Sequence, residues 1–387
     1  MSSFKRGLIF SLLSAFTISL AFSAGYFTRA FSGGHYGGFS LLNQAYDIMV
    51  NHGLHDPPAA PALEHGMIRG MVQAYADPFT IFLEPPQNEL ESNSLQGSFG
   101  GIGVQLEWDQ LGRVLLYPFP ESPAHQVGIQ DGDILHAVDG MEITSNTTME
   151  KVQAAIRGPQ GEKVTITIVR PPIFDQHNFT IIRASIPLPS VTWHLVSEEP
   201  RFGLIKVNLI AASTPGEIHA AALDLQSQGA IYFVLDLRDN GGGLVSTSVD
   251  AARLFLQDGA ILQLQYRGQE VETYQAQQSG PLADLPLAVL VNHTTASAAE
   301  IIAGALQAHQ RAVLIGVPTF GKDTIQLVFT LQDGSSLHVT AARWWIPGLK
   351  TPIAGNGIQP DILLQEDSPG LDPGVTTAIR YFLDSNK

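Results

Sequence analysis

Cysteine is absent from this 387-residue sequence. Its absence excludes a disulfide framework, a thiol nucleophile, an iron–sulfur cluster and a zinc ribbon. Basic residues are scarce as well, because 21 Lys and Arg stand against 36 Asp and Glu and leave a formal net charge of −15. A surface this acidic repels phosphate backbones, so we expect no nucleic-acid partner. Hydrophobic residues make up 44% of the chain and charged residues only 15%, a balance that excludes a disordered protein.

Patterns for a metal or a nucleotide are lacking too. No His-x-x-x-His or His-Glu-x-x-His pair occurs among the 12 histidines, so we expect no metal and no other cofactor. The segment 316–324 imitates the phosphate-binding pattern Gly-x4-Gly-Lys, but Asp323 occupies the position where Ser or Thr would hold magnesium. A strand pattern follows this segment where a phosphate site requires a helix, which argues against nucleotide binding.

The N-terminal end contains a long uncharged run. Lys5 and Arg6 precede an apolar stretch from Gly7 to Thr28, which as a helix would reach roughly 33 Å, about the thickness of a hydrocarbon core. Positive charges before such a run orient the N-terminus towards the cytoplasm. We therefore predict a signal peptide or membrane anchor over residues 1–31 and an extracytoplasmic body. Small residues in Ala21-Phe22-Ser23 would permit cleavage, whereas the length of the run favours retention.

A helical region follows over residues 38–95. Helical periodicity covers Leu41–Val50 and Ala62–Tyr75. Because proline cannot continue a helix, Asp77-Pro78-Phe79-Thr80 and Pro85-Pro86 are predicted to end this helical cap.

Residues 96–185 change to short β runs punctuated by glycine. Gly100–Val104 opens this part, Met149–Ile156 is an amphipathic helix pattern, and Val164–Val169 alternates as a half-buried strand does. The succession resembles a PDZ domain, in which backbone N–H groups of a glycine loop capture a C-terminal carboxylate and the peptide adds as a strand. The alternative is that these glycines only make tight turns. The resemblance implies four peptide-binding residues: Gly101, Ile102, Gly103 and Val104.

From Phe202 onward strands alternate with helices, which predicts an α/β core of mixed sheets and helices over residues 190–365. Residues 366–387 are predicted to form a C-terminal tail or helix. The whole chain is thus predicted as an α/β core, an α+β PDZ domain and a small N-terminal helical cap.

Three core segments follow strands and consist largely of small or polar residues. In Asp236–Gly243 three glycines precede a helix, and their backbone N–H groups could approach an oxyanion closely. In Ser297–Glu300 the serine is either a helix N-cap with Glu300 completing a capping box or a nucleophile at a helix start. The third segment is Thr319–Gln326. In order and spacing the three resemble the C-terminal processing peptidases, and further similarity lies in Asp77–Thr80, Asp333–Ser335 and Gly357–Asp361.

The resemblance implies roles for individual residues. Ser297 would be the nucleophile, Lys322 the general base and Gln326 the residue that orients the lysine. Backbone N–H groups of Ala298 and of the Gly242/Gly243 turn would form the oxyanion hole. The implied function is a serine endopeptidase that recognises C-terminal tails through its PDZ domain and cleaves through an acyl-enzyme. Implied partners are unfolded or C-terminally exposed protein substrates and the membrane, and an oligomer is possible.

A lysine base must lose its charge. The free side chain has a pKa of about 10.4, and only near-complete burial shifts it by the required ~3–4 units. Val317, Phe320 and Ile325 are the neighbouring apolar residues expected to shelter Lys322. The adjoining Asp323 would stabilise the ammonium unless it points to solvent, which strand alternation permits.

Two alternatives remain open. A histidine could serve as the base, with His293 and His309 nearest to Ser297 in sequence, although no Gly-x-Ser-x-Gly elbow occurs. The second alternative is a catalytically inactive peptide-binding module on the same scaffold.

Overall fold

The computed structural model describes residues 39–349, 351–364 and 372–384. Two compact units divide between Ala74 and Tyr75. The segment predicted as a signal peptide or anchor, residues 1–31, lies outside the described residues. Among the described helices, none combines the length and the apolar character that crossing a bilayer requires.

Two helices open the described chain, α1 (Ser40–His52) and α2 (Ala60–Tyr75). They confirm the two helical patterns. The prediction that Pro85-Pro86 end the helical cap is wrong, because after the short strand β1 (Ile81–Leu83) these prolines begin helix α3 (Pro85–Gln96). The first turn of a helix has no acceptor for its N–H groups, so proline loses nothing there.

The PDZ part contains an antiparallel sheet with strand order β3-β4-β5-β7-β8, and β6 pairs with β5. Helix α5 supplies Val152 and Ile156 to the core beneath this sheet. A separate two-stranded sheet joins β2 to β9. The elements are β2 (Ser98–Gly101), β3 (Val104–Trp108), β4 (Val114–Pro118), α4 (Pro123–Gln126), β5 (Asp133–Val138), β6 (Met141–Glu142), α5 (Met149–Ile156), β7 (Lys163–Arg170), β8 (Asp175–Ile182) and β9 (Ala184–Pro187).

A six-stranded sheet of order β10-β11-β12-β15-β16-β19 forms the centre of the α/β core, and only the β10–β11 pair in it is antiparallel. Strand β15 is buried along its whole length, as expected of a parallel strand covered on both faces. The elements are β10 (Val191–Leu195), β11 (Phe202–Val207), α6 (Thr214–Ser227), β12 (Tyr232–Asp236), α7 (Val245–Arg253), β15 (Leu287–Val291), α8 (Ala298–Ala308), β16 (Val313–Gly316), β19 (Ile362–Leu363) and α9 (Pro373–Asp384).

A second core sheet is antiparallel and has the order β1-β18-β13-β14, with β17 paired to β18. Its further strands are β13 (Gly259–Tyr266), β14 (Glu272–Ala276), β17 (Thr324–Thr330) and β18 (Ser336–Trp345). Strand β1 precedes the PDZ part in sequence yet pairs with β18. The α/β core therefore includes chain from both sides of the PDZ part. The domain limits given above stay predictions.

Candidate active site

The three segments singled out in the sequence follow the carboxyl ends of the parallel strands β12, β15 and β16. Carboxyl ends of neighbouring parallel strands meet at one edge of a sheet, where open α/β sheets bind their ligands. The segments contact one another there: Ala296 N donates to Asn240 O at 3.0 Å, and Phe320 N donates to Thr295 O at 3.0 Å. The structure thus brings the predicted segments to one place.

Ser297 stands immediately before α8 in an uncommon backbone conformation, with φ of 54° and ψ of −118°. A positive φ at a residue with a side chain costs about 1–3 kcal/mol and is typical of functional sites. The residue is half-buried. Its N–H donates to Glu300 Oε2 at 2.8 Å, as a capping box requires. Ser297 therefore combines the capping box with partial exposure of the residue.

Glu300 is fully buried and joins two of the segments. Its Oε2 also accepts the Lys322 N–H at 3.0 Å, while its Oε1 accepts from Thr319 Oγ1 at 2.6 Å and from the Gly321 N–H at 2.8 Å. Burial raises the pKa of this carboxyl, and the four hydrogen bonds counteract part of that effect. One carboxylate thus holds the start of α8 and the loop that contains Lys322.

Lys322 is half-buried, and its Nζ donates to the neutral Gln326 Oε1 at 2.9 Å. Burial lowers the pKa of the amine, and the carboxylates of Asp77, Glu300 and Glu91 oppose this shift. From the sequence, the adjoining Asp323 would stabilise the ammonium form unless it pointed to solvent. Asp323 is not one of the carboxylates that act on the amine. No hydrogen bond joins Lys322 Nζ to Ser297 Oγ in the described part of the chain.

Gln326 connects the lysine to a distant segment. Its Nε2 donates to the Phe79 carbonyl oxygen at 2.9 Å, across 247 positions of sequence. The Phe79 ring lies beneath the amine, with Lys322 Nζ 4.9 Å from the ring centroid. Phe320, which was expected to shelter the lysine, is instead 53% exposed. Reasoning from neighbours in sequence missed Phe79, although the Asp77–Thr80 motif had marked its segment.

The candidate oxyanion donors differ in their hydrogen bonding. The Gly242 N–H donates to Asn240 Oδ1 at 2.9 Å and is therefore engaged. No hydrogen bond leads from the N–H of Gly243 or of Ala298 to any other described residue. A Cβ on Gly242 would lie 2.9 Å from Ser297 Cβ and 3.2 Å from Ala298 N, and φ at Gly242 is +112°. Only glycine permits this close approach of the turn to the serine.

Of the two histidines proposed as an alternative base, His309 lies at the opposite end of α8 from Ser297. His309 follows the last residue of α8, whereas Ser297 precedes the first, and His309 Nε2 bonds to Ala260 O at 2.8 Å. His293 is exposed. Within the described ranges, no group of three or more His, Asp or Glu side chains is arranged to hold a metal ion.

A groove in the PDZ part contains three of the four predicted peptide-binding residues. It has a volume of about 250 Å³ and lies between β3 and α5. Strand β3 is at the edge of its sheet, so one of its sides is open to an added strand. Gly101 pairs with Ala184 at the end of β2 and is outside the lining. The lining consists of Phe99, Ile102, Gly103, Val104, Gln105, Leu106, Phe119, Gln153, Ile156 and Arg157.

The fold and the site define a serine-type peptidase that contains a PDZ domain. Residues 201–364 match the model of Peptidase family S41, and residues 118–170 match a PDZ domain model. The chain is 38% identical over 303 residues to the carboxyl-terminal-processing protease of Picosynechococcus sp., covering 78% of this chain and 72% of that protein. It belongs to the family of carboxyl-terminal-processing proteases.

Two further relatives, from Synechocystis sp. and Bartonella bacilliformis, agree with this family. The carboxyl-terminal-processing protease of Synechocystis sp. is 36% identical over 306 residues, which cover 77% of this chain and 70% of that protein. The carboxy-terminal-processing protease of Bartonella bacilliformis is 31% identical, with 81% of this chain and 72% of that protein covered. A solved photosystem II D1 C-terminal processing protease is 28% identical, covers 88% of this chain and 91% of its own, and has a TM-score of 0.47.

Proposed function

We propose that this protein is an endopeptidase in which Ser297 is the nucleophile and Lys322 the general base. The observation that carries the proposal is the environment of the Lys322 amine. Burial lowers its pKa, and its hydrogen-bond acceptor is the neutral Gln326 side chain rather than a carboxylate. An amine in these surroundings loses its proton more readily than a free lysine, as a base at neutral pH must.

The reaction would proceed in two halves. Ser297 Oγ attacks the scissile carbonyl carbon while neutral Lys322 accepts the hydroxyl proton, which requires the amine to come within about 3 Å of Oγ. The carbonyl oxygen gains negative charge, and the N–H groups of Gly243 and Ala298 stabilise it. When the C–N bond breaks, the proton passes to the leaving amine. Water then hydrolyses the Ser297 ester and releases the new C-terminus.

The same proposal includes recognition of substrate C-terminal tails. A peptide would add as a strand to the open side of β3, and its carboxylate would meet the backbone around Ile102 and Gly103. Unfolded or C-terminally exposed proteins are the substrates that fit this groove. From the charge pattern at Lys5 and Arg6 we also propose export, with residues 1–31 serving as a signal peptide or a membrane anchor. Association into an oligomer stays a prediction.

Cleavage of an unfolded peptide with an apolar, free C-terminus tests the proposal. The parent protein, Ser297→Ala and the exposed-serine control Ser145→Ala would be compared by mass spectrometry of the products. We expect cleavage by the parent and the control, and none by Ser297→Ala. Cleavage that persists in Ser297→Ala would remove the proposed nucleophile. Binding without cleavage by the parent would favour the alternative of an inactive peptide-binding module.

A further inference from the structure

The segment Asp77–Thr80 contacts the proposed base through one residue in two ways. The ring of Phe79 lies 4.9 Å from Lys322 Nζ, measured to the ring centroid. The carbonyl oxygen of the same residue accepts from Gln326 Nε2 at 2.9 Å, and Gln326 Oε1 in turn accepts from Lys322 Nζ at 2.9 Å. The Phe79 ring therefore contacts the Lys322 amine directly, and the Phe79 carbonyl oxygen is connected to the same amine through the Gln326 side-chain amide.

Two hydrogen bonds within this segment and one to strand β18 hold it in place. Thr80 is buried, and its Oγ1 donates to Asp77 Oδ2 at 2.6 Å. The Thr340 N–H on β18 donates to Thr80 Oγ1 at 3.2 Å, and the Phe79 N–H donates to Asp77 Oδ1 at 3.2 Å. Strand β1 continues the attachment, since it pairs with β18. The backbone at Phe79 is consequently attached to the sheet that contains β17 and β18.

We propose that Phe79 is a positioning residue for the general base, whose ring keeps water from the Lys322 amine while its carbonyl fixes the orientation of Gln326. The inference rests on the proposed Ser297–Lys322 mechanism. It gives a role in positioning the general base to Phe79, which precedes the PDZ part in sequence. The sequence alone indicated no role for this residue.

The charges around Lys322 explain why an apolar wall is needed. Asp77 in the same segment, Glu91 on α3 and Glu300 on α8 are the carboxylates that act on the amine, and all three favour its charged form. The face of an aromatic ring also attracts an ammonium group. Exclusion of water favours the neutral amine. The ring thus has two opposite effects on the pKa of Lys322: it excludes water and it attracts the ammonium group. A smaller apolar side chain at position 79 separates them, because it still excludes some water but no longer attracts the ammonium group.

Two substitutions at Phe79 test the proposal through the pH dependence of kcat/KM, and both leave the backbone carbonyl in place. Phe79→Ala opens the wall to water and should move the acidic limb of the profile upward by about one unit, because the ring is one wall of a site where full burial shifts a lysine by ~3–5 units. Activity near neutral pH then falls about tenfold. Phe79→Leu keeps an apolar wall, so its acidic limb should stay at or below that of the parent protein.

Phe329→Ala is the matched control, since Phe329 on β17 is 52% exposed and contacts neither proposed catalytic side chain in the described hydrogen bonds and ring contacts. Its acidic limb should coincide with that of the parent. The pH dependence of fluorophosphonate labelling at Ser297 gives a second readout that does not depend on peptide binding. Circular dichroism and thermal unfolding would show whether each variant is folded.

Two results would overturn the role of Phe79. One is a Phe79→Ala variant whose activity falls equally at every pH, since a merely structural role produces that pattern. The other is a Phe79→Leu limb that rises as far as that of Phe79→Ala. Failure of the proposed function is distinguishable from both, because it would appear as retained cleavage in Ser297→Ala.

Discussion

A hydrogen bond of 3.0 Å joins the Lys322 backbone N–H to the carboxylate of Glu300, and the same carboxylate oxygen accepts the N–H of Ser297 at 2.8 Å. One buried side chain therefore sets the positions of the two residues that the proposed chemistry brings together. Proximity of nucleophile and base is worth several kcal/mol only when the geometry is held closely. Glu300 supplies that constraint from the first turn of α8.

Glu300→Ala should reduce both stability and turnover. The substitution leaves one buried and three part-buried donors without this acceptor. An unpaired buried donor costs about 1–3 kcal/mol, so we expect a loss of about 3 kcal/mol in the free energy of unfolding. Urea denaturation and kcat measure the two effects. Glu217→Ala is the matched control, because Glu217 Oε2 accepts the N–H groups of Ser190 and Val191 far from the site in sequence. An equal loss of kcat in both variants would contradict the assigned role of Glu300.

Lys322→Arg should be nearly inactive although its positive charge is kept. A guanidinium does not lose its proton at any pH used in assays, so it cannot accept the proton of Ser297. Removal of a general base lowers kcat by about 10²–10⁴-fold. The exposed Lys163 on β7 provides the control Lys163→Arg, which should retain the parent rate. A rate for Lys322→Arg within tenfold of the parent would exclude the lysine as base.

Asp77→Asn should extend activity to lower pH. The Asp77 carboxylate favours the ammonium form of Lys322, so its neutralisation lowers the pKa of the amine further. A larger fraction of Lys322 is then neutral at a given acidic pH, and the acidic limb of kcat/KM should move down by about half a unit. The measurement is the full pH profile.

Asp323→Asn is the comparison for this effect. Asp323 adjoins Lys322 in sequence but is not among the carboxylates that act on its amine. Its substitution should leave the acidic limb where it is in the parent. A larger downward shift for Asp323→Asn than for Asp77→Asn would reverse the electrostatic assignment.

Gly103→Ala should weaken binding of peptides with a free C-terminus. Gly103 has a φ of +71°, and a Cβ there would lie 2.5 Å from Ser122 Cβ, so the groove backbone must shift. Fluorescence anisotropy in a Ser297→Ala background would measure the affinity without cleavage, and we expect at least a tenfold loss, which is about 1.4 kcal/mol. Gly112→Ala has the same sign of φ, at +70°, but lies in the β3–β4 turn. Equal losses in both variants would argue against the groove.

Local patterns in the sequence predicted much of the fold. The helix Met149–Ile156 has the predicted limits, and the predicted strand Val164–Val169 lies within β7 (Lys163–Arg170), because helical periodicity and strand alternation are properties of adjacent residues. The hairpin of β13 and β14 was not predicted, although Leu262 to Gln265 in β13 alternate between apolar and polar residues as a half-buried strand does. The prolines at 85 and 86 were misjudged because the same residues suit either the end or the start of a helix.

Some residues of the candidate site could likewise be predicted from local sequence patterns, and others could not. Ser297, Lys322 and Gln326 could be selected in the sequence because each belongs to a short motif with fixed spacing. Phe79 could not, since its contact with Gln326 spans 247 positions and exists only after β1 has paired with β18. The engagement of the Gly242 N–H by Asn240 depends likewise on how one turn folds.

The sequence by itself determined the family, the alternation of strands and helices, and the residue types available for acyl transfer, because these are encoded in short-range order. Only the tertiary structure decided the direction in which the pKa of Lys322 shifts. Burial lowers its pKa and the carboxylates of Asp77, Glu91 and Glu300 oppose that shift, and these three residues come from separate parts of the chain. Desolvation is a property of three-dimensional surroundings, which no local pattern specifies.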